Sequence, residues 1–264
     1  MEHQMRGRIA IITGAGGGIG RSIALRLAAQ GVDLSLADVD FGSTAPWGGP
    51  VDARSTVREI EARGRRAIAF QGDVAERHVA EELAKWTADE FGGIDFLVNC
   101  AGGAITPAQN SFASSSNDDD RTALFRANYE TTVMCCQSVI PYMLRQQRGS
   151  IVNITSGVGH NVVPRNGALA HYLAAKAAVT HYTGSLANEL GSAGIRVNAV
   201  SPGLIMSPRV AAQAADRGDA TCEQLGSVAL RRFGVPDDVA KAVEFFCSDL
   251  SSYVTGQVLA VNGG

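Results

Sequence analysis

The chain has 264 residues, of which 45% are hydrophobic and 19% charged, with 30 glycines. That profile excludes a disordered chain or a coiled coil and suits one large domain or two small ones. With 26 acidic against 23 basic side chains the net charge is −3, which favours neither a nucleic-acid partner nor an anionic membrane surface.

Short apolar runs alternate with longer segments of helical period. The first run, Ile9–Thr13, leads into Thr13-Gly14-Ala15-Gly16-Gly17-Gly18-Ile19-Gly20, after which Ile19, Ile23 and Leu27 recur every fourth residue. Strand, glycine-rich turn and helix in that order form an anion site. Gly14, Gly18 and Gly20 let the backbone approach a pyrophosphate, and the helix directs free N–H groups at it. The second run is Leu34–Ala37, and Asp38 follows it 18 residues after Gly20. An acid there binds adenosine ribose hydroxyls and repels a 2′-phosphate. No Arg or Lys occupies Ala15–Gly18 and Arg21 lies beyond the turn, so NAD is expected over NADP.

Further runs are Ala67–Gln71, Phe96–Asn99, Ile151–Ile154, Val197–Val200 and Val258–Val261. Each is apolar on successive residues, as in parallel strands covered on both faces. Leu83, Trp86 and Glu90 fall in one intervening helix. Asp118–Asp120 opens another as a solvated, favourably charged N-terminus rather than a metal site. Gly and Pro break Phe41–Val51, and Pro107 with Ser114–Ser116 breaks Thr106–Asn117. With no repeat and no dividing linker, the alternation predicts an α/β fold, a doubly wound parallel seven-stranded sheet with helices on both faces, as one domain over 1–264.

Ser156 follows the fifth run, and Tyr172 and Lys176 lie four residues apart on one helical face. A phenol is a poor base at neutral pH, and a neighbouring ammonium lowers its pKa enough for proton exchange with an alcohol or carbonyl oxygen. Alone, such a pair reads as ordinary helix residues; behind a dinucleotide turn it reads as a proton-transfer site.

Membrane insertion and metal binding are not expected. The uncharged stretch 96–117 contains Asn, Gln, Ser and Pro, and Met1–Arg8 lacks the layout of a secretory leader. Five cysteines without a CxxC pair and five histidines without HExxH predict reduced thiols, no metal and a cytoplasmic location.

Taken together, these motifs resemble the compact single-domain branch of the short-chain dehydrogenase/reductases over nearly the whole chain. Thr13–Gly20, Asp73-Val74, Asn99-Cys100-Ala101-Gly102, Asn128, Ser156, Tyr172 with Lys176, Ser201-Pro202-Gly203, Arg232–Ala240 and Thr255–Val258 follow the family's order. The resemblance implies a Rossmann-type fold and hydride transfer between NAD and a secondary alcohol or ketone. In it Tyr172 is the general acid/base and Lys176 lowers its pKa while holding the nicotinamide ribose. Ser156 orients the substrate oxygen, and Asn128 holds a water that links Lys176 to solvent. Asp73 and Val74 lie against adenine, with Asn99 and Ala101 beside the adenosine and its ribose. Pro202, Gly203, Ile205 and Ser207 bind the carboxamide end, and Gly14, Gly18, Ile19, Gly20 and Asp38 complete the cofactor site. A homotetramer built partly by the helices of Asn128 and Tyr172 is also implied.

Three departures stand out: Cys100 for the usual second Asn, Asn262 where many members carry Asp, and a 16-residue separation of Ser156 from Tyr172 that is longer than usual. With Tyr172 present, His160 and His171 are expected to line the pocket or face solvent. The 41–51 insertion is expected to fold over the cofactor. The Tyr–Lys spacing argues against the family's enoyl reductases, and chain length and glycine spacing against its sugar epimerases. A catalytically silent NAD-binding regulator or scaffold is the alternative, which an intact Asn–Ser–Tyr–Lys set disfavours. Substrate choice falls to Gly103–Asn110, Gly157–His171 and Leu204–Gln224. There Val158, Val162, Val163, Leu204, Ile205 and Met206 point to an apolar or aromatic alcohol or ketone, while Arg165 and Arg209 leave a charged carrier open.

Overall fold

Strands β1 (Ile9–Thr13), β2 (Asp33–Asp38), β3 (Ala67–Gln71), β4 (Phe96–Asn99), β5 (Gly149–Ile154), β6 (Ile195–Pro202) and β7 (Val258–Val261) form one parallel sheet in the order β3-β2-β1-β4-β5-β6-β7. This computed structural model describes residues 5–43, 45, 52–106, 110–157, 167–217 and 221–264. All seven expected strands are present. β2, β5 and β6 run one or two residues past the apolar runs, because Gly149 pairs with Ile195 and Pro202 with Val261. Pairing, rather than hydrophobicity, sets those ends.

The continuous apolar runs are explained by two cores. Ala10 and Ile12 of β1 face one cluster and Ile11 the other; Phe96 and Val98 of β4 oppose Leu97 in the same way. Helices α1 (Gly18–Ala29) and α9 (Pro236–Cys247) cover the first face through Ile23, Leu27, Val243 and Phe246. Helices α3 (Arg77–Phe91), α5 (Thr131–Gln146) and α6 (Ala170–Leu190) cover the second through Leu83, Val139, Met143 and Leu186. Each such side chain contributes roughly 1.5–3 kcal/mol on burial. Smaller helices are α2 (Ala53–Glu61), α4 (Asp118–Phe125), α7 (Pro208–Arg217) and α8 (Cys222–Ser227).

The chain winds outward one way through β2 and β3 and the other way through β4 to β7. The crevice of this Rossmann-type sheet therefore opens at the carboxyl ends of β1 and β4. The helix expected after Asp118 starts with Asn117, whose side chain accepts from the Asp120 N–H at 2.7 Å. A π-helical segment, Arg126–Glu130, joins α4 to α5, and the Thr131 N–H reaches back to the Arg126 carbonyl. Sequence period gave no sign of this extra residue in the turn.

Of the 41–51 insertion, residues 41–43 and 45 are described; Phe41 is buried against the core. The rest of it, with Val158, His160, Val162, Val163 and Arg165, lies outside the described residues. Among the described residues, no helix is long and apolar enough to cross a membrane.

Candidate active site

At the β1–α1 turn two glycines are sterically required. A Cβ on Gly20 would lie 2.1 Å from the Gly14 carbonyl oxygen. One on Gly14, whose φ is +67°, would lie 2.8 Å from the Cys100 carbonyl oxygen. Thr13 ties this turn to the end of β4, its hydroxyl accepting from the Cys100 and Ala101 N–H groups at 3.1 Å each. The result is a bare backbone concavity at the N-terminus of α1, where anion binding is favourable.

Asp38 ends β2 beside this turn. Its carboxylate accepts from the Gly16 N–H at 2.7 Å and from the Asp40 N–H at 3.1 Å. Burial raises its pKa, while the hydrogen bonds from Asp40, Gly16 and Val39 oppose that rise. Asp73 is held by the Ala75 N–H at 3.0 Å and by Arg126 at 2.6 Å, and Arg126 also reaches Glu76 at 2.7 Å. Val74 is buried next to it.

Ser156, Tyr172 and Lys176 converge on the far side of the same crevice. Lys176 is buried and donates to the Ile154 carbonyl at 2.9 Å, with its Nζ 6.0 Å from the centre of the Tyr172 ring. Burial lowers the Lys176 pKa to about 8. Burial also pushes the Tyr172 phenol up from its ordinary value; a hydrogen bond with Ser156 and the charge of Arg209 pull the other way. This differs from the sequence expectation of a lowered phenol. Desolvation by the crevice wall outweighs the neighbouring charges. An oxygen brought between Ser156 and Tyr172 would meet two hydroxyls and could exchange a proton with the phenol.

Two expected residues sit behind the wall rather than on it. Asn128, in the π-helical segment, is fully buried. It accepts from the Gly103 N–H at 2.9 Å and donates to the carbonyls of Gly103 and Leu124 at 3.0 and 2.9 Å. Its amide is therefore occupied, and its backbone carbonyl accepts from Thr132 at 3.1 Å. Asn99 points into the sheet, donating to Asn153 at 2.9 Å and contacting the Cys136 sulfur at 3.2 Å. Its side chain supports the strands and does not face the crevice.

The remaining expected residues line one cavity of about 710 Å³: Gly14, Gly18, Ile19, Gly20, Asp38, Asp73, Val74, Ala101, Pro202, Gly203, Ile205 and Ser207. Ser207 immediately precedes α7, its hydroxyl accepting from the Val210 N–H at 3.3 Å and keeping a proton to donate. Gly103, Ile105 and Arg209 also line it, within the segments 103–110 and 204–224 expected to shape the substrate pocket, whereas Arg126 is a lining residue that the sequence did not place there. No local spacing marks Arg126, which reaches the cavity from the π-helical segment through tertiary packing. The glycine concavity, the carboxylate at the end of β2 and the cavity's size together fit a dinucleotide. Among the described residues, no group of three His, Cys, Asp or Glu side chains gathers to hold a metal ion.

Comparison with known proteins agrees with this geometry. A family model described as enoyl-(acyl carrier protein) reductase matches residues 14–264. Cyclohexanol dehydrogenase of Rhodococcus sp. (strain TK6) is 39% identical over 263 residues, covering 98% of this chain and 96% of the relative. The 3-oxoacyl-(acyl-carrier-protein) reductase FabG of Staphylococcus epidermidis is 39% identical over 256 residues, 97% of each chain. Among solved structures, a 7α-hydroxysteroid dehydrogenase complexed with NADH and 7-oxo glycochenodeoxycholic acid superposes with a TM-score of 0.84. It is 31% identical and the match covers 98% of this chain and 94% of that one.

Proposed function

The chain belongs to the short-chain dehydrogenase/reductase family of oxidoreductases, and from that premise we propose that it interconverts a secondary alcohol and a ketone with NAD as cofactor. The observation that carries this reading is the convergence of Ser156, Tyr172 and Lys176 on the cavity that begins at the glycine turn. The bound nicotinamide supplies hydride transfer to or from the carbinol carbon. The protein's residues supply position and a proton. Gly14, Gly18, Ile19 and Gly20 cradle the pyrophosphate. Asp38 takes the adenosine ribose, Asp73 and Val74 the adenine, and Ala101 the adjoining sugar. Pro202, Gly203, Ile205 and Ser207 hold the carboxamide end. Ser156 donates to the substrate oxygen while Tyr172 accepts its proton in oxidation and returns it in reduction. Lys176 holds the second ribose, and the Asn128 carbonyl carries a water towards it.

Although the matched model is described by enoyl reduction, Tyr172 and Lys176 four residues apart support alcohol chemistry. The two curated relatives are an alcohol dehydrogenase and a ketoreductase by name. Ile105, Leu204, Ile205 and Val210 on the wall favour an apolar or aromatic substrate body. We read residues 1–264 as one catalytic domain that assembles into a homotetramer. At the sheet edge β7 leaves Leu259 exposed, with Tyr253 and Leu250 nearby in sequence also fully or largely exposed. The five unpaired thiols suit the cytoplasm.

The test is a panel of secondary alcohols and ketones followed by NADH absorbance, together with light scattering for the oligomer. Turnover that Tyr172→Phe cuts by about a thousandfold supports the mechanism; turnover that survives this change refutes it. Tight NAD binding with no turnover would favour a non-catalytic NAD-binding protein instead.

A further inference from the structure

Three cations line the cavity, and two of them are engaged. Lys176 donates to the Ile154 carbonyl, and Arg126 pairs with Asp73 and Glu76. Arg209 is the third. It stands in the first turn of α7, exposed at the cavity mouth, and among the described residues no carboxylate pairs with it. The two carboxylates of the cavity wall are held elsewhere, Asp38 by the Gly16 and Asp40 N–H groups and Asp73 by Arg126 and Ala75.

Its direction is set by the opposite wall. Gly103 has no side chain, and a Cβ there would lie 3.1 Å from Nη2 of Arg209. The guanidinium thus reaches across the mouth onto the Gly103 backbone, next to the apolar Ile105, which is half exposed. It is also close enough to Tyr172 for its charge to favour the phenolate. A substrate whose oxygen reaches Tyr172 occupies the same cavity as this group. A guanidinium offers parallel N–H donors that match a carboxylate bidentately.

We propose that Arg209 is a specificity residue that binds a carboxylate on the substrate, so that the preferred substrate is a hydroxy acid or keto acid with an apolar body rather than a neutral alcohol. This rests on the alcohol–ketone reading above and adds to it the one charged group of the substrate. Because Arg209 is exposed, the pair is partly screened and its effect is moderate.

The experiment compares hydroxycyclohexanecarboxylate with its methyl ester at saturating NAD, two substrates of the same body that differ in charge. The expected kcat/KM favours the acid by about fivefold to tenfold, through KM, and the advantage shrinks at about 0.5 M salt. Arg209→Gln brings the ratio of acid to ester close to one, and Arg209→Lys retains part of it. A ratio near one in the wild-type enzyme overturns the proposal. So does a ratio that survives Arg209→Gln, or a KM for NAD that rises in step with the loss, which would place the cation on the cofactor's diphosphate. A second arm is independent of turnover. With the Tyr172→Phe protein saturated with NADH, calorimetry measures binding of cyclohexanecarboxylate with and without Arg209→Gln. If no alcohol turns over but this binding depends on Arg209, the catalytic reading falls and the anion site stands. Binding indifferent to Arg209 overturns the anion site whatever the turnover.

Discussion

Asn128 holds the Gly103 peptide by both of its polar ends, accepting from its N–H at 2.9 Å and donating to its carbonyl at 3.0 Å. The two residues are 25 apart in sequence, and the clamp fixes the loop after β4 that forms the cavity wall. Asn128→Ala leaves the buried Leu124 carbonyl and the half-buried carbonyl and N–H of Gly103 without this partner. It is expected to cost about 2–3 kcal/mol in urea denaturation and to lower kcat together. Asn128→Asp keeps the acceptor but sets a carboxylate against the Gly103 and Leu124 carbonyls, and it is expected to be no better. Lost turnover with an unchanged denaturation midpoint would contradict the clamp and favour a role in proton relay alone.

The Ser156 hydrogen bond pulls the Tyr172 phenol down against the upward push of burial. Alcohol oxidation needs the phenol deprotonated to accept a proton, so kcat/KM for oxidation is expected to rise with pH through the alkaline range. Ser156→Ala removes an influence that lowers the phenol. The alkaline limb therefore moves to higher pH, and turnover at neutral pH falls about a hundredfold. A limb that moves to lower pH, or stays in place, would remove Ser156 from the phenol's environment.

Much of this was legible in the sequence because it is local. Ile9–Thr13 and Phe96–Asn99 announce strands buried on both faces, and Gly14, Gly18 and Gly20 stand between a strand and a helix. Tyr172 and Lys176 share a helical face by spacing alone. What could not be read depends on distant packing. Asn128 and Asn99 look like site residues by motif, yet the Asn128 amide is held by Gly103 and Leu124 and the Asn99 amide nitrogen by Asn153 and Cys136. The direction of the Tyr172 shift follows from how deeply the wall encloses it, which no four-residue spacing encodes. Arg209 was visible as a lone charge, but its approach to Gly103 belongs to the folding of α7 across the crevice.

Asp38 is expected to set the choice of dinucleotide. Its carboxylate already accepts one backbone N–H from the glycine turn, that of Gly16, and one from Asp40 just after β2, which fixes it beside the turn, where an adenosine ribose would sit. A 2′-phosphate brought there meets a negative charge. In the wild-type enzyme kcat/KM with NAD should exceed that with NADP, and Asp38→Asn should shrink the ratio by roughly tenfold or more. The amide oxygen can still accept from Gly16, so the turn keeps its shape and the change reads charge. A wild-type preference for NADP would overturn this assignment.

Buried ionisable groups predict how the cofactor-free protein responds to alkali. Burial raises the thiols of Cys100, Cys136 and Cys247 to about 12, and that of Cys135 further in the same direction. Their ordinary value is near 9, so from there upward the unfolded chain loses protons that the folded one retains. Each thiol then removes stability at about 1.4 kcal/mol per pH unit until its folded pKa is reached. Lys176 acts oppositely: with its folded pKa near 8, its buried charge costs stability below that pH, and the cost is relieved as pH rises towards 10.5. Four thiols outweigh one lysine, so the urea midpoint should fall above about pH 9 and keep falling to pH 11. Cys135→Ala and Cys247→Ala lower stability at neutral pH by cavity formation but should flatten the alkaline slope. A midpoint that is level from pH 9 to 11, or a slope unchanged in both variants, would show that these thiols do not carry the alkaline sensitivity.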